Sequence, residues 1–170
     1  VLTNNDVTTS LLSLKVGADP YLSGRQNILL SGLLLGMSYE QIIESMDSII
    51  EFSGLGDFVE QPIKTYSSGM SARLGFSIAF HADADVLLID EVLGVGDADF
   101  KQKSTKVMQE KIQSNKTAVL VSHNLKTVGD LCDRAVWIHK GKSLASGPVD
   151  YVISEYEKFA DKNRVIIKHT

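Results

Sequence analysis

At 170 residues the chain has room for one ordinary domain, or for a core with a small subdomain. A hydrophobic fraction of 44% with 22% charged residues excludes a disordered polymer, and a net charge of -4 without a basic run gives no footing for nucleic acid. The single cysteine, Cys132, excludes an internal disulfide and fits a reducing compartment; its simplest role is a small buried hydrophobe in a helix.

Residues 7–14 alternate weakly and are rich in Thr, Ser and Leu, which predicts a strand. Gly17-Ala18-Asp19-Pro20 is a loop, because proline disfavours helix at the residue before it. From Ser23 the pattern turns helical, with Ile28, Leu29, Leu33 and Leu34 at helix spacing and Gly36 as the stop. The apolar run over residues 28–37 falls short of the ~20 residues a bilayer crossing needs, so it is a core or interface helix. Ser38-Tyr39-Glu40-Gln41 reads as a capping box. It opens a helix with an apolar stripe of Ile42, Ile43, Met46, Ile49, Ile50 and Phe52, closed by Gly54 and Gly56.

Tyr66-Ser67-Ser68-Gly69 predicts a polar turn before a helix over residues 70–81. Residues 84–90 (ADVLLID) have the continuous apolar character of a buried parallel strand ending in acid. A helix over 98–114 and a second buried strand over 117–121 follow, then a short helix over 125–132. Residues 134–139 and 142–146 flank Lys140-Gly141 as a hairpin, and residues 149–159 form an amphipathic helix through Tyr151, Val152, Tyr156 and Phe159. Strands alternating with helices in the second half imply a parallel α/β sheet, whereas the first half is mostly helical.

Four short motifs carry chemistry. Asp90-Glu91 stands at the C-terminal end of a strand, where open α/β sheets bind ligands. There Asp90 suits a magnesium ion and Glu91 a general base, although an acidic pair alone more often just opens a loop. Ser67-Ser68-Gly69 at a helix start offers N–H groups and a positive dipole end to an anion; by itself it is more often an ordinary cap. His123, after the next strand, can hydrogen-bond a phosphate, and a lone histidine there is more often a solvated loop residue. Gly94-Val95-Gly96-Asp97 lacks the third glycine of a dinucleotide fingerprint. Lys140-Gly141-Lys142-Ser143 would need its first glycine at Val136, inside a strand, and no GxxxxGK[ST] occurs in the chain.

In this order the motifs resemble those of the ATP-binding cassette (ABC) ATPases. Tyr66 to Arg73 is similar to the family signature written LSGGQ, with Tyr in the Leu position, Ser68 in place of the first Gly and Met70 in place of Gln. Residues 86–91 (VLLIDE) resemble Walker B with its catalytic glutamate, Gly94 to Asp97 the D-loop, and His123 the switch histidine. Residues 22–28 (LSGRQNI), 66–70 (YSSGM), 90–97 (DEVLGVGD) and 121–124 (VSHN) are similar to the ATPase subunits of O-antigen, capsule and teichoic-acid exporters.

The resemblance spans residues 11–159 and implies a P-loop-type parallel sheet core with an inserted helical subdomain, the first part of the core missing. It implies a core-sheet and Q-loop remnant over 1–21, a helical subdomain over 22–82, a catalytic α/β core over 83–148 and a C-terminal helix and tail over 149–170. No glutamine stands near Leu14-Lys15, where the Q-loop falls, and Walker A is absent. A chain opening on Val1 is therefore expected to be cut from a longer protein and to be inactive alone.

For the intact subunit the resemblance implies ATP and Mg2+ as ligands, a head-to-tail homodimer, and a membrane permease as partner at the cytoplasmic face of the membrane. Ser67, Ser68, Gly69 and Met70 would face the nucleotide held by the second subunit. Asp90 would serve magnesium, Glu91 the water, His123 the γ-phosphate, and Gly96-Asp97 the dimer interface. Residues 22–82 would dock a coupling helix of the permease, with residues 28–37 one candidate contact. Loss of the strand before Walker A is expected to leave an open edge on Leu87-Leu88-Ile89. Two rival classes are a non-hydrolytic ABC-like interaction module, against which Glu91 and His123 speak, and an ABC ATPase of chromosome or DNA-repair type, for which a long coiled-coil insertion and a basic surface are lacking.

Overall fold

The computed structural model describes residues 7–11, 17–90, 96–114 and 116–167, the last six of these as backbone alone. The chain divides into two units, Val1–Val121 and Ser122–Thr170.

Among the described residues the first unit has three parallel strands, β1 (Thr9–Leu11), β2 (Val86–Asp90) and β3 (Thr117–Val121), in the spatial order β1-β2-β3. Leu87 lies opposite Ser10 on one side and Ala118 on the other. The apolar run predicted around ADVLLID is thus the central strand, and Leu87 and Ile89 are 0% and 1% exposed. Thr8 fastens β1 beside it, donating from its N–H and its hydroxyl to the Asp85 carboxylate at 2.9 and 2.8 Å.

Two expectations about the sheet are corrected here. Leu87 and Leu88 do not lie on an open edge, because β1 pairs with them on one side and β3 on the other, and Ile89 pairs with Leu120 of β3. Among the described residues the outer positions belong to β1 and β3. Likewise β3, expected to be buried, leaves Val119 and Val121 52% and 60% exposed while Ala118 and Leu120 are half-buried. A strand shows its side chains alternately to two faces, and only one face of β3 is covered in this unit.

The helices α1 (Gly24–Leu34), α2 (Tyr39–Ser53) and α3 (Ser68–His81) share one core, built on Ile28, Met37, Ile42, Met46, Ile49, Leu74 and Ile78. Each start has a hydroxyl cap. The Ser38–Gln41 box forms as expected, the Gln41 N–H donating to Ser38 Oγ at 3.2 Å and the Ser38 N–H to Gln41 Oε1 at 2.7 Å. Ser23 and Gln26 make a second, unforeseen box at the start of α1. α2 ends on Gly54 in the left-handed conformation, the stop predicted for it.

The expected stripe of α1 is only partly buried. Ile28 faces the core, but Leu33 and Leu34 are 49% and 57% exposed, and the inner face is completed by Asn27, Ser31 and Gly32. The cause is a polar plug. Asn27, 1% exposed, donates from Nδ2 to the carbonyls of Asp19, Leu22 and Ser23 at 2.9 to 3.1 Å and accepts the Asp19 N–H at 2.8 Å. Satisfying the loop before the helix sets its rotation, which turns the two leucines outward. On α2, Ile43 is exposed because Ile42, Met46 and Ile49 fill the inward stripe.

α4 (Ala98–Ile112) joins the helices through rings. Phe100 stands edge-on to Phe52 and Phe76, with centroids 5.7 and 5.9 Å away, and Phe80 stacks on Phe52. Lys103 lies over Phe52, and Lys111 donates to the Phe80 and Ala82 carbonyls at the end of α3.

The second unit holds α5 (Leu125–Leu131), the antiparallel pair β4 (Arg134–His139) and β5 (Lys142–Pro148), and α6 (Val149–Ile167). Lys140 and Gly141 both take positive φ, 48° and 75°, so the GKS stretch is the hairpin turn and not a phosphate loop. A bulge after Trp137 leaves Leu144 without an opposite residue. Trp137 packs on Tyr156 and Phe159 of α6, whereas Val136 and Ile138, on the other face, are 59% and 69% exposed. Cys132 is the half-buried residue that follows α5, not an interior helix position. Burial and the charge of Asp133 push its thiol up from the ordinary value, away from thiolate chemistry.

Candidate functional site

The signature-like turn is built by its own residues. Ser67, in extended backbone, caps α3 by accepting the Met70 N–H at 3.1 Å, so the helix begins at Ser68. Ser67 and Ser68 are exposed, and Gly69 and Met70 are half-exposed. A side chain added at Gly69 would meet nothing nearer than Ser67 Oγ at 3.8 Å. The chain's own packing therefore does not require a glycine there, and the helix N-terminus stays open to an approaching group. Tyr66 steadies the turn from behind: its hydroxyl donates to the Phe58 carbonyl at 2.7 Å. Burial, followed by the charge of Glu60, raises its pKa above the ordinary tyrosine value.

Asp90 is exposed at the carboxyl end of the central strand, in register with Val121. Glu91 and the Gly94-Val95 half of the expected D-loop lie outside the described residues. Gly96 and Asp97 are described. Asp97 caps α4, its Oδ1 accepting the Phe100 N–H at 3.0 Å, and its Oδ2 faces Arg73 Nη1 at 3.7 Å.

Among the described residues no group of three His, Cys, Asp or Glu side chains could enclose a metal ion. The donor set at Asp90 nonetheless fits magnesium, a hard cation that keeps water and phosphate oxygens as most of its ligands and takes few carboxylates from a protein.

In the second unit, exposed His123 sits between Ser122, whose Oγ accepts the Asn124 N–H at 3.1 Å, and Asn124, which caps α5 by accepting the Thr127 N–H at 3.2 Å. Its backbone is thereby held in a short capped turn. Sequence reasoning overlooked Arg73 as a residue of the site. The signal for it is its place at the end of the signature-like stretch, six positions beyond Ser67 on the same helix.

Relatives of this chain carry names that bear on the site. The teichoic acids export ATP-binding protein of Lactococcus lactis is 49% identical over 156 residues, which cover 92% of this chain and 33% of that protein. The O-antigen export system ATP-binding protein of Myxococcus xanthus is 46% identical over 154 residues, covering 91% and 35%. The chain is a homologue of these export ATP-binding proteins. It spans about a third of their length. No family model matches the chain.

Solved structures agree on architecture. An ATP-binding subunit of an ABC transporter superposes with a TM-score of 0.71 at 19% identity, covering 88% of this chain and 62% of that one. A dimeric ATP-binding cassette in a post-hydrolysis state, bound to ADP and Pi, superposes with a TM-score of 0.63 at 16% identity, covering 84% and 63%. The fold is that of an ABC ATPase domain, as the motif order implied. No helix among the described residues is long and apolar enough to cross a membrane.

Proposed function

We propose that this chain supplies the signature turn, the Walker B strand and the switch histidine of an ABC-type ATPase that powers export of a lipid-linked polysaccharide or teichoic acid through a membrane permease. The observation that carries the reading is the alignment of nine-tenths of the chain, at 45–49% identity, with export ATP-binding proteins. The open N-terminus of α3 and the exposed Asp90 at the end of the central strand are chemically suited to the same task.

In this reading two copies pair head to tail at the cytoplasmic face of the membrane. Ser67, Ser68, Gly69 and Met70 present N–H groups and hydroxyls to the phosphates of ATP bound by the second copy. Asp90 holds magnesium, which when bound neutralises phosphate charge. Glu91 accepts a proton from the attacking water. His123 donates a hydrogen bond to the γ-phosphate, and Gly96-Asp97 meets the other subunit. The helical residues 22–82 receive the permease, and the outward Leu33, Leu34, Tyr39 and Ile43 are apolar surface suited to a membrane partner's helix.

These 170 residues contain no GxxxxGK[ST] loop, so hydrolysis requires one elsewhere in the polypeptide. The test has two parts. The complete reading frame should place that loop within about a hundred residues before Val1; its absence sinks the ATPase and favours a non-hydrolytic module. Full-length protein carrying Glu91→Gln should then lose steady-state ATP turnover by about 100-fold or more, a general base being worth that much. Unchanged turnover would show that Glu91 is not the base.

A further inference from the structure

Arg73 stands on the helix that the signature turn opens and faces the Gly96-Asp97 loop, the two segments that the ATPase reading assigns to the subunit interface. It leaves α3 about two turns beyond the Ser67 cap, and its Nη1 lies 3.7 Å from Asp97 Oδ2. That separation makes an ion pair without a direct hydrogen bond. The other oxygen of Asp97 caps α4, so the charge that Arg73 faces also starts that helix. Gly96, at φ 81°, passes over the arginine stem so closely that an added Cβ would stand 3.0 Å from Arg73 Cγ. The guanidinium also nears Gly54, the end of α2, where an added Cβ would lie 3.7 Å from Nη1. Arg73 Nε is buried with no hydrogen-bond partner among the described residues.

We propose that Arg73 is a positioning residue that fixes the Gly96-Asp97 loop relative to the signature turn, so that one subunit presents both to its partner in a single geometry. The proposal rests on the ATPase reading above. A side chain that acts this way is needed when the two loops must engage together, and less for holding ATP itself. Its loss lowers kcat and leaves KM for ATP nearly unchanged.

The experiment measures kcat and KM for ATP in the full-length protein with Arg73→Ala, Arg73→Lys, Gly96→Ala, Asp97→Asn and the Arg73→Ala/Asp97→Asn pair. The expected result is a fall in kcat of about tenfold for Arg73→Ala with KM within about twofold. Arg73→Lys should recover part of it, and the pair should be no worse than its more damaging single change. Gly96→Ala should resemble Arg73→Ala, because its Cβ displaces the same stem. If Arg73→Ala does not fold, as judged by its melting temperature, Arg73→Lys and Gly96→Ala decide the matter by the same kcat and KM pattern. Multiplying effects in the pair, an unchanged kcat, or a rise in KM alone overturns the proposal. Absence of turnover in the unaltered full-length protein overturns the ATPase reading and this proposal with it.

Discussion

The three-helix region from Gly24 to His81 and the strand elements β3, β4 and β5 close on themselves to very different degrees. In the helices every start is capped, the apolar stripes meet, and Ile28, Ile42 and Ile49 are fully buried. In the strands, Val119, Val121, Val136 and Ile138 each leave more than half of their surface in solvent, although their residue types are those of a core. The difference follows from where the partners come from. A helix satisfies its backbone within its own segment, and its stripe needs only the next two helices. A strand needs a neighbour along each edge and cover on each face, and these come from distant parts of the chain.

The largest effect should separate the two regions directly. Ile49→Ala should destabilise the protein by about 2–5 kcal/mol in urea unfolding, while Val119→Thr should stay within about 0.5 kcal/mol. Equal costs would mean that the face of β3 is covered in solution. Asn27→Ala comes next, at about 1–3 kcal/mol, because a single change strands three carbonyls and the Asp19 N–H. A smaller value would show that water replaces the amide and that the loop before α1 is not what rotates Leu33 and Leu34 outward.

Ser38→Ala should cost about 1 kcal/mol by thermal unfolding, the usual worth of a cap; no loss would mean that α2 is held by packing alone. The smallest effect is set by pH. Burial holds the His81 imidazole below its ordinary value; the nearby charge of Lys111 acts in the same direction, and a hydrogen bond to the Ser77 carbonyl opposes both. The folded state therefore favours neutral His81. Its contribution is complete above the unfolded pKa near 6.5 and is lost as the pH falls through the lower folded pKa. Melting temperatures at pH 7.5 and 5.5 should differ less in His81→Gln than in the unaltered protein.

Several candidate site residues were legible as local structure before the fold, because they also punctuate secondary structure. Ser67 ends a turn and starts α3 and Asp90 ends β2, so local chemistry marked both; Asp97, which starts α4, was marked by the motif resemblance. Arg73 closes the signature-like stretch, but nothing along the chain gives it a role there; its partner lies 24 positions away, and only the return of the chain through β2 brings Asp97 to it. Leu33 and Leu34 misled for the opposite reason. Their spacing is helical and apolar, and periodicity cannot tell which face of a helix a buried asparagine will claim.

The sequence alone determined the order and type of nearly every described element, the capped start of α2, the hairpin at Lys140-Gly141 and the ABC-like motif order, since each depends on side chains a few residues apart. Tertiary structure decided that β2 is central and β3 is an outer strand, that two leucines of α1 face water, and that Arg73 stands against Asp97. Those outcomes depend on which distant segments compete for the same edge or face. No local pattern records that competition.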